Sequence, residues 1–213
     1  MSTRTTSGLT ILLAAVLAFG TSYADGASAQ SPTAANALAP ANAPSMGPVT
    51  APVTIVEFFD PACESCRAMY PHVKQLLAAN PKDVRLVIRY VPFHGAVSKQ
   101  AINVLEAARQ QKRLVPVMDA LMQHQPVWAS HRGSDPEKVW DFAVQAGLDR
   151  KLAQQYIATG AVETLMKREV AAVEAAKIQG TPTFYVNGKQ LAELGPEQLE
   201  ALVNAELSRA RKK

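Results

Sequence analysis

The first clear element in the pattern of apolar positions is a buried strand. Residues Val53–Phe59 read VTIVEFF, a run of β-branched and aromatic side chains typical of such a strand. Apolar residues then recur at helical spacing from about Cys63 to Ala79, and a second apolar run, Val84–Val91, ends at Pro92. A strand, a helix and a strand in this order predict two parallel strands joined by a right-handed crossover.

The following 75 or so residues have helical patterns almost throughout. Ser98 predicts the N-terminal cap of a helix that continues through Gln111, and Gly147 and Gly160 stand where helix ends are expected. Further helices are predicted at Val115–His124, Pro136–Ala146, Arg150–Ala158 and Val162–Ile178. We therefore expect residues 92–160 to form an all-helical insertion.

A hairpin and a last helix complete the predicted fold. Thr183–Val186 and Lys189–Leu191 flank Asn187-Gly188, a dipeptide that favours the tight turn between two antiparallel strands. The last helix is predicted from about Pro196 to Arg209.

The N-terminus has the pattern of an export signal. Arg4 precedes the uncharged apolar run Leu9–Phe19, and small-residue cleavage patterns end at Ala24 and Ala29. The run is shorter than the roughly 20 residues that a membrane span needs. We predict a signal peptide over residues 1–29 and thus a periplasmic or otherwise exported protein, the alternative being an uncleaved membrane anchor.

A stretch rich in Ala, Pro, Asn and Ser follows the signal. It covers residues 30–48, shows no clear apolar period, and predicts a flexible spacer. Folded structure is expected from about Val49.

Composition and charge remove several function classes. The 213 residues suit one domain with an insertion, and the two cysteines are too few for a disulfide scaffold. The net charge of +4 comes from the C-terminal residues Arg209, Arg211, Lys212 and Lys213, because the rest of the chain is balanced. No basic groove is indicated, so we expect no nucleic-acid partner.

The two cysteines form the motif Cys63-Glu64-Ser65-Cys66 at the predicted start of a helix. Helix N–H groups and the helix dipole stabilise a thiolate there, and Cys66, one turn on, can attack a mixed disulfide formed at Cys63. A structural disulfide is a weaker interpretation, since so short a loop constrains the unfolded chain little. A zinc site lacks a second cysteine pair, and the four histidines have no compact ligand spacing. We therefore predict redox chemistry and no metal.

The second candidate element is Gly180-Thr181-Pro182, directly before a predicted strand. Such a proline can have a cis peptide bond, although an ordinary trans proline is the commoner case. Because proline lacks an N–H group, the backbone of Thr181 would be free to pair with an extended substrate segment.

Together these motifs resemble the DsbA-like family of exported thiol–disulfide oxidoreductases, in the thioredoxin superfamily. The similarity runs from about Val49 to Arg209 and rests on Val56–Phe59 before the cysteine motif, the helical insertion, and Gly180–Gly188. It implies an α/β thioredoxin-like fold interrupted by an all-helical domain. Residues 49–91 and 161–213 would form the thioredoxin-like part.

The resemblance also implies roles for single residues. Cys63 would be the nucleophile that faces the substrate, Cys66 the resolving cysteine, and Pro182 a cis-proline beside them, next to Thr181. Glu57 matches a buried acid that relays protons beneath the disulfide, and an ionisable group in an apolar strand is costly unless it is used or paired. The redox-active disulfide would be the only cofactor.

The direction of electron flow is less clear from the sequence. Glu64 and Ser65 differ from the Pro-His of the strongest oxidases, and Glu64 opposes a thiolate electrostatically, so we expect a less oxidising disulfide. The preferred function is oxidation of cysteines in exported client proteins by a monomer, with a membrane redox partner. The alternatives are a disulfide reductase or isomerase of the same fold, and a thioredoxin-like module that binds clients or a metal without turnover.

Overall fold

The computed structural model of the chain describes residue 1 and residues 37–130 and 133–212. The chain divides into two units, Met1–Ser31 and Pro32–Lys213, and all the helices and strands given below belong to the second. The predicted signal peptide, with its apolar run Leu9–Phe19, lies outside the described residues. Within the part of the chain that is described, no helix has the length and apolar character needed to cross a membrane.

Short strands and longer helices follow one another along the second unit. The strands are β1 (Ser45–Met46), β2 (Val53–Phe59), β3 (Val84–Tyr90), β4 (Ala129–Ser130), β5 (Gly133–Ser134), β6 (Thr183–Val186) and β7 (Lys189–Gln190). The helices are α1 (Glu64–Ala79), α2 (Ala96–Gln110), α3 (Leu114–Gln123), α4 (Gln125–Trp128), α5 (Pro136–Gln145), α6 (Arg150–Ala158), α7 (Ala161–Ala175) and α8 (Pro196–Ala210).

A mixed sheet forms the centre of the fold, with the strand order β1-β3-β2-β6-β7. The predicted pair β2 and β3 is parallel, and β6 lies antiparallel to β2 on its other side. Six of the seven residues of both β2 and β3 are buried, as expected for strands covered on both faces. The site motif therefore follows the central strand of the sheet.

The predicted hairpin is present between β6 and β7. Asn187 and Gly188 both have positive φ angles, 47° and 81°, which the tight two-residue turn requires. The Asn187 side chain also bonds the backbone of β2, since its Oδ1 accepts from the Thr54 N–H at 2.9 Å. This hairpin fixes the register of the segment that carries Thr181 and Pro182.

Folded structure begins earlier than Val49, so the C-terminal part of the predicted spacer over residues 30–48 is wrong. Strand β1 pairs antiparallel with β3, and the Ile88 N–H donates to the Pro44 carbonyl at 2.8 Å. Further back, the buried Arg89 guanidinium donates to the carbonyls of Ala37 and Leu38 at 3.0 and 2.8 Å. A segment rich in proline can still add to a sheet edge, because edge strands tolerate proline.

Helices α2–α6 fill the predicted insertion between β3 and Gly160, and α7 packs on β3. Helix α2 begins at Ala96, before the predicted cap; the Ser98 hydroxyl lies inside it and accepts from the His94 N–H. Helix α4 and the hairpin β4–β5 are missing from the sequence prediction, because elements of two to four residues are too short to show a period.

Candidate active site

Cys63 lies at the start of α1, immediately after the turn that follows β2. Its N–H donates to the Asp60 carbonyl at 3.0 Å, and its backbone is extended, with φ −77° and ψ 124°, as at a helix N-cap. Cys63 is 8% exposed, while Cys66 is completely buried. Both cysteines are free thiols in this structure, so the described state is the reduced one.

The surroundings of Cys63 stabilise its thiolate. A hydrogen bond from the Cys66 side chain, aided by the Thr181 side chain and by the backbone N–H groups of Cys66 and Ser65, outweighs partial burial and lowers the pKa of Cys63 to about 5. The two backbone N–H groups are donors of the kind that the first turn of a helix offers to an anion. At neutral pH Cys63 is therefore a nucleophile.

Cys66 has the opposite electrostatic character. Burial, the hydrogen bond to the Cys63 sulfur and the negative charges of Glu57 and Cys63 raise the pKa of Cys66 well above its ordinary value. The pair thus holds one proton at neutral pH, on the buried sulfur. The roles that the resemblance implies, with Cys63 attacking and Cys66 resolving, require such an asymmetry and stay a prediction.

Glu57 lies in the middle of β2 and is 2% exposed. Its Oε1 has no hydrogen-bond partner among the described residues. Burial, and to a smaller extent the charge of Cys63, raises the pKa of Glu57 to about 8. Glu57 therefore retains a proton at neutral pH, close enough to Cys66 for the two charges to interact.

Replacing Glu57 with glutamine should stabilise the reduced protein in a pH-dependent way. The folded state holds the Glu57 proton up to about pH 8, whereas the unfolded chain loses it near the ordinary value of 4.5, so folding is penalised progressively between these pH values. The full penalty is on the order of 5 kcal/mol, at about 1.4 kcal/mol per pKa unit. We expect Glu57→Gln to raise Tm by at least about 4 °C at pH 8 and to leave it unchanged at pH 4.

Thermal unfolding under reducing conditions at the two pH values measures this effect. Glu193→Gln, at an exposed position, is the matched control and should leave Tm unchanged at both pH values. An equal gain for Glu57→Gln at pH 4 and pH 8 would show that its origin is not the ionisation of the carboxyl group.

The loop before β6 brings Thr181 and Pro182 to Cys63. The Thr181–Pro182 peptide bond is cis, as the resemblance implies. When Cys63 is a thiol, its Sγ donates to the Thr181 carbonyl at 3.1 Å. The predicted residues Cys63, Cys66, Glu57 and Thr181 thus come together, while Glu64 and Ser65 are exposed on the first turn of α1.

Gln125 is a site residue that the sequence prediction lacks. Its side chain is completely buried, and its Nε2 donates to the carbonyls of Pro61 and Cys63 at 2.8 and 2.9 Å. Its Oε1 accepts from the Arg67 Nε at 3.2 Å. Gln125 begins α4, so it connects the helical insertion to the turn that carries the nucleophile.

Asp60 and His94 form a second group of contacts that the sequence prediction lacks. The Asp60 side chain is fully buried and accepts from the N–H groups of Ala62, Phe93 and His94, at 2.8, 2.8 and 3.1 Å. Its Oδ2 also lies 2.8 Å from the His94 Nδ1, and the imidazole is 43% exposed. Asp60 therefore connects the cysteine turn to the loop after β3.

Comparison with known proteins agrees with this geometry. The sequence model of the family described as Thioredoxin matches residues 41–205. The chain belongs to the thioredoxin family. A solved thioredoxin-like oxidoreductase from Silicibacter pomeroyi DSS-3 is similar to it, with a TM-score of 0.69 and 32% identity, over 84% of this chain and 98% of that one.

The curated relatives that the chain resembles are of two kinds. The thiol:disulfide interchange protein DsbA of Bordetella parapertussis is 27% identical over 185 residues, 85% of this chain and 84% of that protein. The Na⁺/H⁺ antiporter NhaA 3 of Salinispora tropica is 31% identical over 159 residues, but the chain spans only 23% of that protein's length. The thioredoxin-like fold with its helical insertion is confirmed, and the chain is similar to DsbA-named proteins and to a thioredoxin-like oxidoreductase.

A cavity of about 400 Å³ opens beside Cys63 in this thioredoxin-family site. Its wall includes Ser65 from α1, His94 from the loop after β3, and Ser130 and Ser134 from the hairpin β4–β5. The insertion thus forms one side of the space in front of the nucleophile. Within residues 37–130 and 133–212, no cluster of three or more His, Cys, Asp or Glu side chains could hold a metal ion.

Proposed function

We propose that the protein oxidises pairs of cysteines in exported client proteins. The observation that carries this direction is the pKa of Cys63, about 5. A stabilised thiolate favours the reduced form of the pair, and a pair that prefers to be reduced is a strong disulfide donor. Thioredoxin, a reductant, has a nucleophilic cysteine of pKa about 7, whereas that of DsbA is about 3.5.

The proposed reaction consists of two thiol–disulfide exchanges. A client thiolate attacks Sγ of Cys63 in the Cys63–Cys66 disulfide, a mixed disulfide forms, and the electron pair of the broken bond leaves on Cys66. Glu57, which holds a proton at neutral pH, supplies one to this buried thiolate. A second client thiolate then attacks the client sulfur of the mixed disulfide and releases Cys63 as a thiolate. The client loses two electrons, and the cysteine pair gains them.

The stability of the Cys63 thiolate does not come from the side chains of Glu64 and Ser65. The stabilising donors are the Cys66 thiol, the Thr181 side chain and backbone N–H groups, none of which depends on the two intervening side chains. A histidine between the cysteines is therefore not needed to lower the pKa of Cys63. This supports a disulfide that is more oxidising than that of thioredoxin.

Each turnover leaves the pair reduced, so the cycle also needs a second oxidant. We propose a membrane protein that accepts the two electrons, and we place the reaction outside the cytoplasm. The apolar run Leu9–Phe19 after Arg4 supports export.

The reduction potential of the Cys63–Cys66 pair tests the direction. Equilibration in glutathione buffers, with the thiol content read by alkylation and mass spectrometry, should give a value between about −230 and about −120 mV. Oxidised protein should also introduce disulfides into reduced, unfolded ribonuclease. A potential near that of thioredoxin, about −270 mV, would overturn the oxidase direction and favour a reductase or isomerase.

A further inference from the structure

The cavity beside Cys63 contains an imidazole that the exchange reaction described above does not use. His94 lines this cavity together with Cys63. Its loop runs from the end of β3 to α2, and its backbone N–H is held by the Asp60 carboxylate and the Ser98 hydroxyl. Asp60, just after β2, and Ser98, in α2, thus hold the loop that carries the ring.

The contact with Asp60 also determines which ring nitrogen is available. A carboxylate only accepts hydrogen bonds, so Nδ1, at 2.8 Å from the Asp60 Oδ2, carries a proton and donates it. In the neutral ring Nε2 is then the basic nitrogen. No hydrogen bond to Nε2 occurs within residues 37–130 and 133–212. A base that a buried carboxylate orients can take the proton from a nucleophile that arrives beside it.

Asp60 is hydrogen-bonded to both Cys63 and His94. Its backbone carbonyl accepts from the Cys63 N–H at 3.0 Å, while its side chain fixes His94. The other titratable side chains around the cavity, within the described residues, are those of Cys63 and Glu64; the described residues of β4 and β5 that line it are Ala129, Ser130 and Ser134. The dipeptide between the cysteines contains no imidazole, so His94 supplies a basic nitrogen that the motif itself lacks.

We propose that His94 is the base that removes the proton from the incoming client thiol. The inference rests on the proposed function. The client S–H proton moves to Nε2, and the client thiolate forms the S–S bond to Cys63 as the Cys63–Cys66 bond breaks, with its electron pair leaving on Cys66. The imidazolium faces the Asp60 carboxylate and returns its proton to solvent through its exposed edge. His94 therefore matters for thiols that arrive protonated and not for those that arrive ionised.

The variant His94→Asn tests this, because its side-chain N–H can still reach Asp60 while the basic nitrogen is lost. The probe is a cysteine peptide, a thiol of pKa about 8.5 that is only about 3% ionised at pH 7. We expect the oxidised variant to react with it about tenfold more slowly than the wild type at pH 7, and equally fast at pH 9.5. At pH 9.5 the peptide thiol is mostly ionised and needs no base, so this second rate separates proton transfer from a structural role.

The controls separate this role from others. His72→Asn, in the middle of α1 and outside the lining of the cavity, should leave both rates unchanged. His94→Gln should behave like His94→Asn if the latter folds poorly. An equal loss at pH 7 and pH 9.5, or no loss at either, overturns the role of His94. If the wild type itself fails to exchange with the peptide, the proposed function fails, and this outcome is distinct from the others.

Discussion

Replacing Cys63 with serine abolishes disulfide exchange with client thiols. A serine hydroxyl cannot form the mixed disulfide, and no other described cysteine is exposed, because Cys66 is completely buried. We expect the rate of ribonuclease oxidation, and of insulin reduction by the reduced protein, to fall at least about 1,000-fold. Both assays follow absorbance or activity over time, with dialysed protein to remove small thiols.

The loss of activity is informative only if the Cys63→Ser variant keeps the fold of the wild type. Cys63 lies at a helix N-cap, a position that serine favours, so circular dichroism and Tm should change little. A folded Cys63→Ser protein that kept its exchange activity would contradict the enzyme assignment of this cysteine. It would instead favour a module that binds its clients without turnover.

Replacing Cys66 with serine traps the protein on its client. Cys63 loses the hydrogen bond from the Cys66 thiol but keeps those from Thr181 and the backbone N–H groups. It therefore still attacks a peptide disulfide and becomes joined to the peptide, but no second thiol is present to break the new bond. We expect the adduct to persist at least about 100-fold longer than in the wild type. Intact mass spectrometry under non-reducing conditions should show it, and dithiothreitol should remove it.

Cys66 is more sensitive to packing than Cys63, because its sulfur lies in the core. Cys66→Ala, which buries no hydroxyl, therefore serves as a second variant and should form the same adduct. Adducts that disappear as fast as in the wild type would mean that another group resolves the mixed disulfide. Adducts on Cys66 in the Cys63→Ser protein would mean that Cys66 is the nucleophile and Cys63 the resolving cysteine.

Local patterns were sufficient to predict the elements that carry the chemistry. Strand β2, helix α1 and the hairpin β6–β7 each have a period or a turn dipeptide within a few residues, and the predicted bounds agree closely with the structure. Glu57 could be found for the same reason, since it is an acid within an apolar strand. What is local in the chain can be read from the chain.

The remaining contacts of the site are distant in sequence. Gln125 lies 62 residues from Cys63, and His94 lies 34 residues from Asp60, so neither pair leaves a spacing signal. The lowered pKa of Cys63 has a related origin. The dipeptide Glu64-Ser65 is visible in the sequence, whereas the donors that stabilise the thiolate depend on how the backbone and the Thr181 loop come together.

Strand β1 determines where the chain can be shortened. It is only two residues long, but it covers the outer side of β3, whose residues Leu86–Tyr90 are all buried. A protein trimmed to begin at Val49 would expose this apolar strand as an open edge, and such edges pair with the same strand of another copy. A version for expression should therefore begin before Ala37, whose carbonyl accepts a hydrogen bond from Arg89. Strand β1 then continues to cover the outer edge of β3.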